Sequence, residues 1–152
     1  MVVEDFEDWR RFVLSLLQQI PTLRVICEVS DGLDAVRKAE ELKPDLILLD
    51  ICLPSVNGIE AARRIRLRAS NSKILFMSQE SDPEVVQKAM SVGAQGYLLK
   101  TDAGAELLAA VEAVVKGELF LSRGLAGCNS GETQDEQAQQ DQGSLTESAA
   151  SD

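Results

Sequence analysis

The chain has 152 residues, 45% of them hydrophobic and 26% charged, which is the length of about one domain and the mixture of a protein that buries a core. It contains no histidine, which excludes Ser-His-Asp and Cys-His nucleophile systems, imidazole-held metals and phosphohistidine on this chain. The formal net charge of -10 repels the phosphate backbone that supplies most nucleic-acid affinity, so no direct nucleic-acid binding by this chain is expected.

In chain order, Val2 and Val3 open as a short apolar run, and Phe6, Trp9, Val13, Leu16, Leu17 and Ile20 follow at helix spacing. Residues 23–29 read as a second strand, Ser30-Asp31-Gly32 as a turn, and Leu33, Val36 and Ala39 as a helix face. Leu46-Ile47-Leu48-Leu49 is a continuous apolar run, the type buried on both faces of a parallel sheet. Ile59, Ala62 and Ile65 mark a third helix, residues 74–77 a fourth strand, and Val85, Val86, Ala89 and Met90 a helix opened by Pro83. Tyr97-Leu98-Leu99 is the last strand, and Leu107, Leu108, Val111, Val114 and Val115 form the last helical stripe, closed by Gly117. The alternation predicts an α/β fold, a doubly wound five-stranded parallel sheet with helices on both faces, over residues 1–123.

Residues 124–152 carry six acids, no Lys or Arg and no aromatic side chain, and are expected to form an acidic, Ser/Gln/Gly-rich disordered tail. No stretch approaches the roughly 20 apolar residues of a membrane span. The first residues are acidic where a signal peptide is basic, so no membrane association and a cytoplasmic location are expected. Cys27, Cys52 and Cys128 are far apart without a CxxC pair and read as reduced thiols.

In an open parallel sheet, functional groups gather at the carboxyl ends of the strands. Here those ends carry Glu4 and Asp5, Asp50, Ser78 and Lys100. A solvated loop end or a helix cap would account for Asp5 or Ser78 taken alone; the set together points to chemistry. Crowded carboxylates repel unless a hard cation lies between them, which implies a divalent site suited to Mg²⁺. A carboxylate such as Asp50 can accept a phosphoryl group, and the same cations would stabilise its charge.

These residues resemble the receiver domain of two-component response regulators. The motifs are Val-Val-Glu4-Asp5, Leu-Ile-Leu-Leu-Asp50-Ile-Cys-Leu-Pro54 with Gly58, Leu-Phe-Met-Ser78, and Gly93-Ala-Gln-Gly96-Tyr97-Leu-Leu-Lys100. The resemblance implies a flavodoxin-like receiver fold with strand order 2-1-3-4-5 and Asp50 as phosphoacceptor. It implies a Mg²⁺ site of Asp5, Asp50 and the backbone carbonyl of Cys52, with Glu4 assisting through water. Lys100 would pair with the phosphoryl group and Ser78 would hydrogen-bond to it. Tyr97 would turn inward behind the displaced loop and alter the surface of the fourth helix, fifth strand and fifth helix. The implied partners are a sensor histidine kinase or phosphotransfer protein, and a downstream protein or second copy that reads that surface. The implied role is a phosphoacceptor signalling domain with only self-phosphorylation and autodephosphorylation, not an enzyme.

Three features depart from that pattern. Only three residues precede Glu4, which is short for a central strand and raises the expectation of a clipped start. Thr101 follows Lys100 where many receivers have proline; Gly-Tyr-Leu-Leu-Lys without it is similar to receivers of the LuxR-type helix-turn-helix subgroup. Residues 124–152 lack the basic amphipathic helices of such a DNA-binding half, so a regulator reduced to its receiver half stays open. A haloacid dehalogenase-like phosphatase would also form an aspartyl phosphate, but it needs an acid two residues on, where Cys52 stands. Among the remaining residues, Trp9 and Phe12 read as core or helix face, Glu80 as an exposed acid, Leu53-Pro54 and Gly58 as loop punctuation, and Gly96 as a residue without a chemical task.

Overall fold

The structure, a computed structural model, describes residues 1–125. A compact unit spans Met1–Ser122. Beyond Ser122 only the 3-10 turn Arg123–Leu125 is described, and the expected acidic tail lies outside the described residues from 126 onward, as does Cys128.

Strands β1 (Val2–Val3), β2 (Glu28–Val29), β3 (Leu46–Asp50), β4 (Lys73–Ser78), β5 (Gly96–Leu99) and β6 (Phe120–Leu121) form one sheet in the order β2-β1-β3-β4-β5-β6. Every pairing is parallel. Helices α1 (Glu7–Leu17), α2 (Gly32–Leu42), α3 (Gly58–Arg68), α4 (Pro83–Ser91) and α5 (Ala103–Val115) make the crossovers. The order 2-1-3-4-5 is therefore present, with a sixth strand added beyond β5. That strand was missed because its two residues carry no period. It forms because Phe120 N–H reaches the Gln95 carbonyl (3.0 Å) and Ser122 N–H the Tyr97 carbonyl (3.0 Å) once Gly117 turns the chain out of α5 at φ +90°.

The second strand is shorter than the expected span 23–29. It is an edge strand whose partner, β1, offers a ladder of two residues, Val2 beside Glu28 and Val3 beside Val29. On the other side of β1, the Met1 ammonium donates to the Leu46 carbonyl (2.9 Å), and burial lowers its pKa.

Strand alternation divides the core into two layers. Leu46, Leu48, Leu75, Met77 and Leu98 pack with Val13 and Leu17 of α1 and with Leu107, Ala110, Val111 and Val114 of α5. Ile47, Leu49, Ile74, Phe76 and Tyr97 alternate with them and are also fully buried. Gly96, which had no task in the sequence, lets α5 approach: a Cβ there would lie 2.7 Å from Leu75 Cδ1 and 3.1 Å from Val114 Cγ2. Three helices start at the carboxyl edge on side-chain caps. Asp31 accepts from Leu33 N–H and Asp34 N–H, Asn57 from Glu60 N–H, and Asp82 from Glu84 N–H, with Pro83 at the first turn of α4.

Candidate phosphoacceptor site

Each strand passes from apolar to polar within one residue at this edge. Val3 gives way to Glu4, Leu49 to Asp50, Met77 to Ser78 and Leu99 to Lys100; parallel register sets Glu4 level with Asp50, Ser78 one residue further along and Lys100 one further again. Oxygen atoms of Glu4, Asp5 and Asp50 all lie within 4.8 Å of one another. Asp5 is exposed, whereas Glu4 is 1% and Asp50 4% exposed.

Lys100 opens a 3-10 turn, Lys100–Asp102, directly after β5. Its Nζ lies 2.8 Å from Glu4 Oε1 and 3.5 Å from Asp50 Oδ1. Glu4 is held further by Phe6 N–H donating to its Oε2 (3.0 Å), and Arg10 Nη1 donates to its carbonyl (2.6 Å). Three carboxylates against one ammonium leave the cluster with net negative charge. Burial pushes the Asp50 pKa up to about 6, the Glu4 charge adds to the rise, and Lys100 opposes it. Asp50 is thus a carboxylate at neutral pH, held at a cost that a cation would relieve.

Ser78, the last residue of β4, is buried and accepts a hydrogen bond from Glu80 N–H (2.9 Å). Tyr97 is fully buried, and its hydroxyl donates to the Glu80 carbonyl (2.7 Å). Burial raises the Tyr97 pKa, while its interaction with the Ser78 hydroxyl works the other way. Tyr97 therefore already occupies the inward position in this structure. The Glu80 side chain is exposed, as read from the sequence, but its backbone links Ser78 to Tyr97, a role that no side-chain pattern reveals.

The loop between β3 and α3 carries Cys52, which is exposed and has a free thiol. Gly58 does more than punctuate that loop. Its N–H donates to the Ile51 carbonyl (2.6 Å), and a Cβ would lie 2.0 Å from the Asp50 carbonyl oxygen and 2.7 Å from Ile51 Cα. The loop is also tied to the start of α2. Gly32 N–H donates to the Pro54 carbonyl (3.1 Å), and Ser55, at φ +71°, donates its hydroxyl to Asp31 Oδ2 (2.5 Å). That hydroxyl, followed by the Asp34 N–H, holds the Asp31 carboxyl below its ordinary pKa.

A further contact escaped the sequence reading: Lys100 Nζ sits 5.4 Å from the centroid of the Trp9 ring. Cavity size does not follow the chemistry. A cavity of about 780 Å³ opens between Met1, Leu17, Leu23, Leu46 and Val111 and contains none of the clustered carboxylates, whereas one of about 350 Å³ includes Ile51, Cys52 and Glu80 beside the site.

A family profile described as response regulator receiver domain matches residues 1–112. The chain is 38% identical to the transcriptional regulatory protein LiaR of Bacillus subtilis, over 84% of this chain and 60% of LiaR. It is 35% identical to the nitrate/nitrite response regulator protein NarL of Escherichia coli, over 82% of this chain and 58% of NarL. The chain thus spans about three-fifths of the length of these curated relatives. Among solved structures, a LuxR-family two-component response regulator from Aurantimonas superposes with a TM-score of 0.83 at 32% identity, covering 88% of this chain and 95% of that one. The signal receiver domain of a NarL from Mycobacterium tuberculosis superposes with a TM-score of 0.73 at 30% identity, covering 77% and 94%.

Proposed function

The chain belongs to the response regulator receiver family, and we propose that it takes a phosphoryl group onto Asp50 from phosphohistidine on a sensor histidine kinase or phosphotransfer protein. The observation that carries this reading is the buried Asp50 carboxylate at the end of β3, clustered with Glu4 and Asp5 and faced by the Lys100 ammonium. An Asp50 oxygen attacks phosphorus, the P–N bond breaks, and its electron pair returns to the donor imidazole. Hydrolysis of the acyl phosphate later restores the carboxylate.

The all-oxygen, net-negative cluster fits Mg²⁺, which would be held by Asp5, Asp50 and the Cys52 carbonyl, with Glu4 assisting through water, and would supply charge neutralisation during transfer. Lys100 is the chain's own counter-charge. Its ammonium exchanges the 2.8 Å contact with Glu4 for a phosphoryl oxygen on Asp50, which it already approaches at 3.5 Å. Ser78 turns its hydroxyl from the Glu80 N–H to another phosphoryl oxygen. Because Glu80 also accepts from Tyr97, that movement passes to β5 and α4. The surface of α4, β5 and α5 then presents the phosphorylated state to a downstream protein or a second copy. The role is that of a cytoplasmic signalling domain, with self-phosphorylation and autodephosphorylation as its only reactions.

The test is intact mass after incubation with acetyl phosphate. One phosphoryl addition, dependent on Mg²⁺, abolished by chelator and absent in Asp50→Asn, is expected. A folded chain that gains no mass, or a variant that gains it equally, would refute the reading.

A further inference from the structure

We propose, on the basis of the phosphoacceptor reading above, that Trp9 is a positioning residue for Lys100, the face of its indole ring holding the ammonium where it can pass from Glu4 to a phosphoryl group on Asp50. Among the described residues, three groups lie around that ammonium. Two are the carboxylates of Glu4 at 2.8 Å and Asp50 at 3.5 Å. The third is the indole ring, with its centroid 5.4 Å from Nζ, inside the roughly 6 Å within which a ring quadrupole attracts a cation. The Lys100 side chain is only 13% exposed, so water screens this attraction weakly.

The ring is fixed independently of the lysine. Trp9 packs against the core layer of α1 and α5, and its centroid lies 5.1 Å from that of Phe12 at an interplanar angle of 46°. Its Nε1 is buried and has no hydrogen-bond partner among the described residues. A polar bond therefore does not account for the ring's placement; packing does. A π face also suits the task chemically. A third hydrogen-bond acceptor would hold the ammonium at one point, whereas a quadrupole attracts it over an area and leaves its N–H donors free for oxygen. Lys100 can thus shift toward Asp50 without losing its third neighbour.

Two readouts test the proposal, using the full chain and the variants Trp9→Phe and Trp9→Leu. The first is the initial rate of phosphoryl addition from acetyl phosphate with Mg²⁺, with circular dichroism and thermal melting reporting the folded fraction. Trp9→Phe keeps an aromatic face and retains at least half the wild-type rate, while Trp9→Leu keeps apolar bulk and loses about threefold to tenfold per folded molecule. Equal rates in the two variants would assign Trp9 to packing alone and overturn the proposal. The second readout uses the fact that Trp9 is the single tryptophan of the sequence. Its emission, measured without metal or phosphodonor, should differ between wild type and Lys100→Gln; identical spectra from two folded proteins would show that the ring and the ammonium do not meet. If wild type itself takes no phosphoryl group, the phosphoacceptor reading fails and the positioning role with it, while the emission comparison still decides whether the contact exists.

Discussion

The central strands and their carboxyl ends differ by one residue and have opposite energetics. Leu49 is fully buried beside Phe76 in register and contributes apolar burial to stability. Asp50, the next residue, is almost as buried, yet burial and the Glu4 charge raise its pKa to about 6. The sheet interior stabilises the fold, whereas its edge holds a charged group at a cost. Stability and chemistry are thereby separated along the same strand, and substitutions on the two sides of that boundary should act in opposite directions.

The largest expected effect is on the interior side. Ile47→Ala removes a fully buried side chain from β3 and should lose about 2–5 kcal/mol in urea unfolding. Asp50→Asn, three residues on, should instead stabilise the metal-free protein. A rise of about 2 pKa units corresponds to at most about 3 kcal/mol, so a gain of about 1–3 kcal/mol is expected at pH 8. The sign follows from linkage. Between the unfolded value near 3.8 and the folded value near 6, the native state binds more protons than the unfolded one, so wild-type stability falls as pH rises through this window. The advantage of Asp50→Asn should therefore shrink as pH drops from 7 to 4, read as converging melting temperatures. If Asp50 is the nucleophile as proposed, phosphoryl uptake should fall over the same acid range as its carboxylate becomes protonated.

Smaller effects test how the edge is built. Gly58→Ala forces a methyl group onto the Asp50 carbonyl and should cost about 1–3 kcal/mol. Gly104→Ala, in α5, meets only Phe12 Cζ at 4.0 Å and should be neutral or gain up to about 1 kcal/mol; thermal melts of the pair separate close approach from helix propensity. Tyr97→Phe removes the bond to the Glu80 carbonyl and should cost about 1 kcal/mol. It should leave phosphoryl uptake on Asp50 intact while weakening any state-dependent self-association, measured by sedimentation velocity with and without phosphodonor.

Most of this plan could be read in the residues because it repeats locally. Leu46-Ile47-Leu48-Leu49 followed by Asp50 announces both a buried parallel strand and its polar end. Pro83 places the start of α4 and Gly117 the end of α5. Features that depend on tertiary proximity could not be read this way. The short β2 reflects the two-residue ladder that β1 offers, and β6 exists through backbone bonds to the Gln95 and Tyr97 carbonyls. Trp9 has the spacing of an ordinary core residue; only the fold brings Lys100 over its ring. Gly58 and the Ser55–Asp31 bond likewise acquire their meaning from chain segments that meet in space.

The most direct measurement is the location of the phosphoryl group. After reaction with acetyl phosphate and Mg²⁺, borohydride reduction of the acyl phosphate followed by peptide mapping should mark Asp50 alone. A mark on Glu4 or Asp5, or on a residue outside the strand ends, would contradict the assignment of Asp50 as the acceptor.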